Sequence, residues 1–383
     1  MRKRQIFIFF FIFFSLYVVI NSYIFIRGYQ GLEICSEIRD FYTGIFLLIA
    51  FSYFIGRFLE RRFLSRMSDI FIWLGSLWFA FILYFLISIL AFDLIRLVNL
   101  FAHFLPDGYL YFRLKFYLLL GDVGLTSLIV LLGFLNSRNI RIKRLAIDIS
   151  KTNAFAKELT LVVASDIHLG TIIGKRRTQK IVEIINSLNA DLVLLPGDIV
   201  DGDVEPVIKL NLGEVLRTIK SKYGIFAITG NHEYIGGVEP AVRYISEHGI
   251  RVLRDETIEI AGMTIIGRED RAITSFAGKQ RRTIEKLAEG IDPSKPIILM
   301  DHQPFKLEEG VNIGADLQLS GHTHHGQLWP LNFITKKVYE LSWGYKRKGN
   351  THIYVSCGAG TWGPPIRLGN TPEIMLIKLN FIE

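Results

Sequence analysis

Residues 70–92 read IFIWLGSLWFAFILYFLISILAF, without one charged side chain. A helix packed on one side of a soluble core keeps a polar face. This stretch has none, and it exceeds the ~20 residues that cross a bilayer as helix. Three more apolar stretches accompany it, at 6–26, 41–59 and 116–135. Residues 1–136 are therefore expected to form an all-α region of about four transmembrane helices. The first stretch follows Met-Arg-Lys-Arg, but it is too long for a signal-peptide core and no small-x-small cleavage site comes after it, so it reads as a retained anchor.

Lys and Arg in the short loops set the orientation. Eleven lie on one side (Arg2, Lys3, Arg4, Arg57, Arg61, Arg62, Arg66, Arg138, Arg141, Lys143, Arg144) and five on the other (Arg27, Arg39, Arg96, Arg113, Lys115). The expectation is a multi-pass protein of the inner (plasma) membrane, partnered by the lipid bilayer, with everything after Leu135 on the cytoplasmic side. Asp122 falls a few residues inside the fourth stretch and reads as a solvated group near the outer interface. His103 and Arg96 read the same way.

The formal charge is +8, but residues 1–150 carry 16 Lys and Arg against 9 Asp and Glu, whereas residues 151–383 carry 28 against 27. A nucleic-acid binder places its positive field on the folded domain, so no nucleic acid is expected. Cys35 and Cys357 make neither a disulfide framework nor a cysteine-rich metal site. Residues 137–158 read as a basic linker and lead-in. From 159 to 383, short β-branched runs alternate with helical spacing at Arg177–Leu188 and Val207–Ser221. Near-continuous apolar strands imply sheets covered on both faces.

The residues directly after each run carry the chemistry. LVVAS leads to Asp166-Ile167-His168, LVLLPG to Asp198 and Asp201, FAITG to Asn231-His232-Glu233, IILMD to His302, and LQLSG to His322-Thr323-His324. In open α/β sheets ligands gather outside the carboxyl ends of strands, so five clusters converge on one site. Carboxylates, imidazoles and an amide oxygen suit a pair of divalent cations (Mn, Fe, Zn, Co or Mg), while the lack of Cys argues against a thiolate site. Two such ions can hold a hydroxide and clamp an in-line phosphoryl displacement.

Taken together, SDIH, GDIVD, GNHE, His302 and GHTH resemble the calcineurin-like metallophosphoesterases, over roughly Leu159 to Leu379. HTHHGQ and RLGNTPEI are most similar to the bacterial membrane-associated branch of that family. The resemblance implies a four-layer α/β/β/α sandwich. It implies one metal on Asp166, His168, Asp198 and His324, and a second on Asp198, Asn231, His302 and His322. His232 would then act as acid or transition-state stabiliser, oriented by Asp201. Protein phosphatases of the family follow that acid with an arginine; Gly202 stands here instead, which speaks against a phosphoprotein substrate.

The expected activity is metal-dependent hydrolysis of a phosphoester, phosphodiester or pyrophosphate bond by in-line attack of a hydroxide held between the two ions, on a lipid or nucleotide-lipid substrate. A phosphodiesterase for soluble cyclic nucleotides is the alternative, and an inert membrane scaffold a third reading. Substrate contacts are sought at Lys175 and Arg176, at Arg367, and at His325, which reads as a rim residue. Trp329 and Phe333, beside Lys336 and Lys337, form either an interfacial patch or a packed hairpin. His248 and His352 read as structural.

Overall fold

A computed structural model of the chain describes residues 2–151 and 155–382, and in the first helix the side chains of Ile8 and of Phe11 onward. The side chains of Arg2, Lys3 and Arg4, and Thr152–Ala154 of the expected lead-in, lie outside the described residues. The chain divides into two compact units, residues 1–135 with 363–366, and residues 136–362 with 367–383.

The first unit is built from α1 (Arg2–Gly31), α2 (Arg39–Arg62), α3 (Arg66–Ala102) and α4 (Gly108–Ser137). All four contain a segment long and apolar enough to cross a membrane. The helices outrun the apolar stretches because their polar ends also keep helical spacing. α3 begins in a capping box, in which Ser65 Oγ accepts from the Ser68 N–H and Ser68 Oγ from the Ser65 N–H, satisfying two otherwise orphaned donors.

The unit has an apolar outer surface and buries several polar side chains within an otherwise apolar core. Asn21, Ser52, Ser76 and Thr126 are buried, whereas Phe11, Leu48, Leu90 and Leu125 are exposed. Trp78 Nε1 donates to Asn21 Oδ1 at 2.9 Å and Tyr17 OH to the Ala50 carbonyl at 2.5 Å. That inversion suits a hydrocarbon solvent, in which polar groups find partners only inside the bundle. Asp122 corrects the expectation of a solvated group. It is 7% exposed and accepts from Ser88 Oγ at 2.6 Å, because α3 packs a hydroxyl against its face of α4.

Helices α2 and α3 touch through backbone. A Cβ on Gly75 would stand 2.3 Å from the Tyr53 nitrogen, and one on Gly56 2.7 Å from the Ile72 nitrogen. Small residues at such crossings let backbones meet.

The second unit contains, in order, β1 (Arg141–Ile149), β2 (Glu158–Val163), α5 (Lys175–Ser187), β3 (Leu192–Pro196), α6 (Glu205–Lys209), α7 (Leu212–Leu216), β4 (Ile225–Ile228), α8 (Asn231–Gly236), α9 (Val238–Glu247), β5 (Arg251–Leu253), β6 (Glu256–Ile260), β7 (Met263–Gly267), α10 (Ala272–Phe276), α11 (Ile284–Leu287), β8 (Ile297–Met300), α12 (Glu308–Asn312), β9 (Leu317–Ser320), α13 (Asn332–Val338), β10 (Gly344–Lys348), β11 (Thr351–Val355) and β12 (Glu373–Phe381). The stretch expected as linker thus holds an edge strand, β1, which pairs parallel to β12 over Arg141–Ile149. The helix expected at Val207–Ser221 is broken at Asn211, whose left-handed backbone (φ 53°) ends one helix as Asn often does.

Two six-stranded sheets form, in the orders β1-β12-β2-β3-β4-β5 and β10-β11-β9-β8-β7-β6. Val162, Val193, Leu195 and Ala227 of the first sheet pack on Ile181 and Ile185 of α5, Leu216 of α7 and Ile245 of α9. Their alternate neighbours Leu161, Val163, Leu194 and Ile228 turn the other way, onto Ile265, Ile298, Met300 and Leu319 of the second sheet. The far face of that sheet, Ile266, Ile297 and Leu299, is covered by Ile284 and Leu287 of α11. The layers run helix, sheet, sheet, helix, which is why the strands read as unbroken apolar runs.

Replacing Gly75 by Leu is expected to lower the stability of the detergent-purified protein by roughly 1–3 kcal/mol, the usual effect of overpacking. A thermal unfolding curve that matches the wild type would show that α2 and α3 do not need this close approach.

Candidate metal centre

The loops after β2 and β3 continue to pair beyond the strands. The Asp166 N–H donates to the Gly197 carbonyl, His168 to Asp198 and Leu169 to Ile199. This zippering sets Asp166, His168 and Asp198 side by side. The loop after β4 is pinned by Glu233, 1% exposed, whose carboxylate accepts from the N–H groups of Asp198, Val200 and Gly230. The loop after β9 is tied in turn, since the His322 N–H donates to Asp166 Oδ1 at 2.8 Å.

Glycines allow this crowding. A Cβ at Gly230 would lie 2.1 Å from Asp198 Oδ1, one at Gly321 2.2 Å from Asp166 Oδ2, and one at Gly360 2.0 Å from the Ile167 carbonyl oxygen. Asp166, His168, Asp198, His322 and His324 all have left-handed backbone, with φ between 44° and 70°. Such conformations are uncommon outside glycine and persist where the surroundings over-determine them, often at functional sites.

The side chains meet in three overlapping groups whose donor atoms lie within 4.8 Å of one another: Asp166, His168 and His324; His168, Asp198 and His232; Asp198, His302 and His322. His168 Nε2 is 2.9 Å from His324 Nε2, and His302 Nε2 is 3.1 Å from Asp198 Oδ2. Asn231 Oδ1 lies 2.7 Å from His322 Nδ1. Asp201 faces Nδ1 of both His232 (3.1 Å) and His168 (3.3 Å).

The arrangement fits a cation. His302 donates from Nδ1 to the Pro196 carbonyl at 2.8 Å, which turns Nε2 toward the Asp198 carboxylate. Nε2 has only that 3.1 Å ionic contact there, and the buried Asp166 Oδ2 has no hydrogen-bond partner among the described residues. Atoms of this kind, with a backbone carbonyl fixing the ring, are what a metal-binding imidazole and carboxylate present.

Burial, followed by the neighbouring His302, depresses the His322 imidazole to about 3, and burial with His168 holds His324 well below the usual histidine range. Neutral imidazole is the ligating form. Burial is the largest single influence on His232 and His302 and would lower both, but the surrounding carboxylates together outweigh it. Asp198 and Asp201 raise His232 to about 9, and Asp198, Asp166 and Asp270 hold His302 well above the ordinary value. Burial raises Asp166 and would raise Asp198 too, but at Asp198 His302, His232 and His168 together outweigh it and keep the carboxyl well below the usual range.

Several expected contacts are corrected. Arg367 is fully buried, so it does not reach into solvent for a phosphate. Its guanidinium donates to the Gly358 and Gly360 carbonyls and to Asn370 Oδ1, and Nη2 lies 3.1 Å from His324 Nδ1. The planar fork of donors holds the loop that passes behind Asp166. His325 is not a rim residue either. It is 6% exposed, its Nδ1 is 3.0 Å from Ser342 Oγ, and its ring packs on Trp343.

Lys175 and Arg176 are exposed on the first turn of α5, while Arg177 turns back to the Ser137, Arg138 and Ala359 carbonyls. Trp329 and Phe333 are more than half exposed, the first in the turn before a helix, α13, and the second within it, in place of a hairpin. Two contributors gave no clear signal in the sequence. Glu233 is visible there only as the last letter of GNHE. Trp362, exposed beside His232 at 6.1 Å between ring centroids, stands in a loop whose sequence carries no sign of this neighbourhood.

Residues 159–326 match the calcineurin-like phosphoesterase family. A Helicobacter pylori protein described as an uncharacterized metallophosphoesterase is 38% identical over 230 residues, 58% of this chain and 60% of that protein. The chain thus spans about 60% of that relative's length. An Aquifex aeolicus protein with the same description is 31% identical over 65% of this chain and 97% of its own length. A Danio rerio protein described as a transmembrane protein with metallophosphoesterase domain is 30% identical over 67% of this chain and 61% of its own.

Replacing Arg367 by Met is expected to weaken Mn²⁺ binding about 10–100-fold, as loss of a group that orients a ligand does. Arg367→Lys should recover little of it, because an ammonium cannot reproduce the fork. Full recovery with lysine in a titration calorimeter would refute the positioning role.

Proposed function

The chain belongs to the calcineurin-like phosphoesterase family, and from that premise we propose that it is a metal-dependent hydrolase of a phosphodiester, phosphomonoester or pyrophosphate on a membrane-associated substrate. The observation that carries the reading is the overlap of the three Asp/His groups on two shared members, His168 and Asp198. Two divalent cations held there, one by Asp166, His168, Asp198 and His324 and one by Asp198, Asn231, His302 and His322, would supply Lewis acidity and a deprotonated water.

The protein's own groups do the rest. His232 stands at the edge of the cluster with Nδ1 against Asp201, which leaves Nε2 as the proton-bearing face. A positioned acid of this kind donates to the departing oxygen, and the effect grows as the leaving group worsens. Asp201 keeps the ring oriented, much as a buried carboxylate orients the histidine of a catalytic triad. Asp201 also touches His168, so it couples the acid's position to the ligand cluster.

The substrate reading rests on α13. Trp329, Phe333, Ile334 and Val338 are all more than half exposed, and Lys336 and Lys337 lie among them in sequence. Apolar and aromatic side chains beside basic ones suit the lipid boundary. Trp362 adds an exposed ring next to His232. A lipid or nucleotide-lipid phosphate is therefore the substrate class we favour, on a protein with four helices long and apolar enough to cross a membrane, and the Lys and Arg distribution favours a cytoplasmic catalytic unit.

Detergent-purified protein assayed with each divalent ion against a panel of phosphoesters tests the chemistry. His232→Ala should retain cation binding and lose about 10²–10⁴-fold in kcat on esters with poor leaving groups, with a much smaller loss on aryl esters. Equal losses on both would exclude the acid role. Trp329→Ala with Phe333→Ala should reduce turnover of lipid vesicles far more than turnover of a soluble aryl phosphodiester. If both substrates respond alike, the lipid reading fails and a generic phosphoesterase remains.

A further inference from the structure

The phosphoesterase reading gives the first unit nothing to do beyond anchoring, for which one helix would serve. Yet that unit holds a half-open cavity of about 340 Å³, within the size range of small-molecule sites. Its walls are of two kinds. Phe46, Trp78, Phe85 and Leu119 make an apolar lining, and Arg27, Asp93, Arg96 and Lys115 also border it. Asp93 lies eight residues beyond Phe85 on α3, about 12 Å along the axis at 1.5 Å per residue. Lys115 lies one turn before Leu119 on α4. The charges thus gather where α1 and α3 end and α4 begins, and the apolar lining lies deeper.

The charged end is short of negative partners. Arg27 and Arg96 share a single carboxylate, Asp93, at 2.5 and 3.1 Å. Arg27 Nη1 donates to Gln30 Oε1, but the buried Nε has no hydrogen-bond partner among the described residues. Lys115 is already held by Glu33, and Asp122, seven residues deeper on α4, is turned to the hydroxyls of Ser88 and Thr126. A purely apolar occupant would leave Arg27 and Arg96 with one carboxylate between them, an excess positive charge that an apolar surrounding disfavours. A small soluble anion would leave the aromatic lining unmet.

We propose that this cavity binds a long-chain amphiphile with an anionic head group, the chain lying along Phe46, Trp78 and Phe85 and the head group against Arg27 and Arg96. The four helices then form a lipid-binding unit as well as an anchor. The site is independent of the Asp/His chemistry, and its test needs no turnover.

Full-length protein, purified in detergent and stripped of lipid, is titrated in native mass spectrometry with phosphatidylglycerol, palmitate and phosphatidylcholine. Thermal unfolding confirms that each variant is folded. At least one anionic probe should bind about tenfold more tightly than phosphatidylcholine, a difference of ~1.4 kcal/mol, and the preferred one identifies the head-group chemistry. Arg96→Gln should remove most of that preference. Val123→Trp, at a half-exposed lining position, should weaken all binding while leaving the charged end intact. If Arg96→Gln does not fold, Val123→Trp decides alone. Equal retention of phosphatidylcholine, or anionic binding that survives Val123→Trp unchanged, overturns the proposal.

Discussion

Asp198 joins the two sheets of the second unit at one carboxylate. Oδ1 accepts from the His232 N–H on the loop after β4, and Oδ2 lies 3.1 Å from His302, which comes after β8 of the other sheet. Its own carbonyl receives the His168 N–H and its own N–H is held by Glu233. A carboxylate taken fully out of water is strongly unfavourable unless partners compensate it. Here the segments after β2, β4 and β8 supply them, and a shared cation would supply the remainder. The ligand cluster is thus also the place where the sandwich is tied together.

The backbone around it is correspondingly constrained. Left-handed conformations at five of the proposed ligands are individually unfavourable by order 1 kcal/mol or more, even though Asp and His adopt them more readily than most side chains. They hold because Gly197, Gly230, Gly321 and Gly360 let neighbouring loops close to distances that a methyl group would forbid, and because each loop's N–H groups are taken up by the next. Arg367 and Asn370 complete the enclosure from behind, filling with donors a space that has no access to water.

The first unit obeys the opposite rule of solvation. The outer surface along its apolar spans is largely Phe, Leu and Val, and polar side chains within those spans turn inward to one another, as in Asn21 with Trp78 and Ser88 with Asp122. Hydrocarbon solvates the first kind and cannot hydrogen-bond the second. The cavity follows the same rule, with charges gathered at one end and an apolar lining deeper in.

Local signals carried far. The uncharged run at 70–92, the apolar strands and the polar blocks behind them are each written in adjacent letters. Solvent preference and strand periodicity act over a few residues, so helices, strands and the convergence of five loops were legible from them. Arg367 and His325 were not. Both looked like polar residues free to meet a substrate, and both are buried, because burial depends on which distant loop lies on top. The edge strand at Arg141–Ile149 was hidden likewise, since its partner lies some 230 residues further on. The sequence by itself determined the solvent of each half and the kinds of donor atom offered at each strand end. Only the tertiary structure decided which donors share a point in space, because that rests on contacts between residues far apart in the chain, which no short-range pattern encodes.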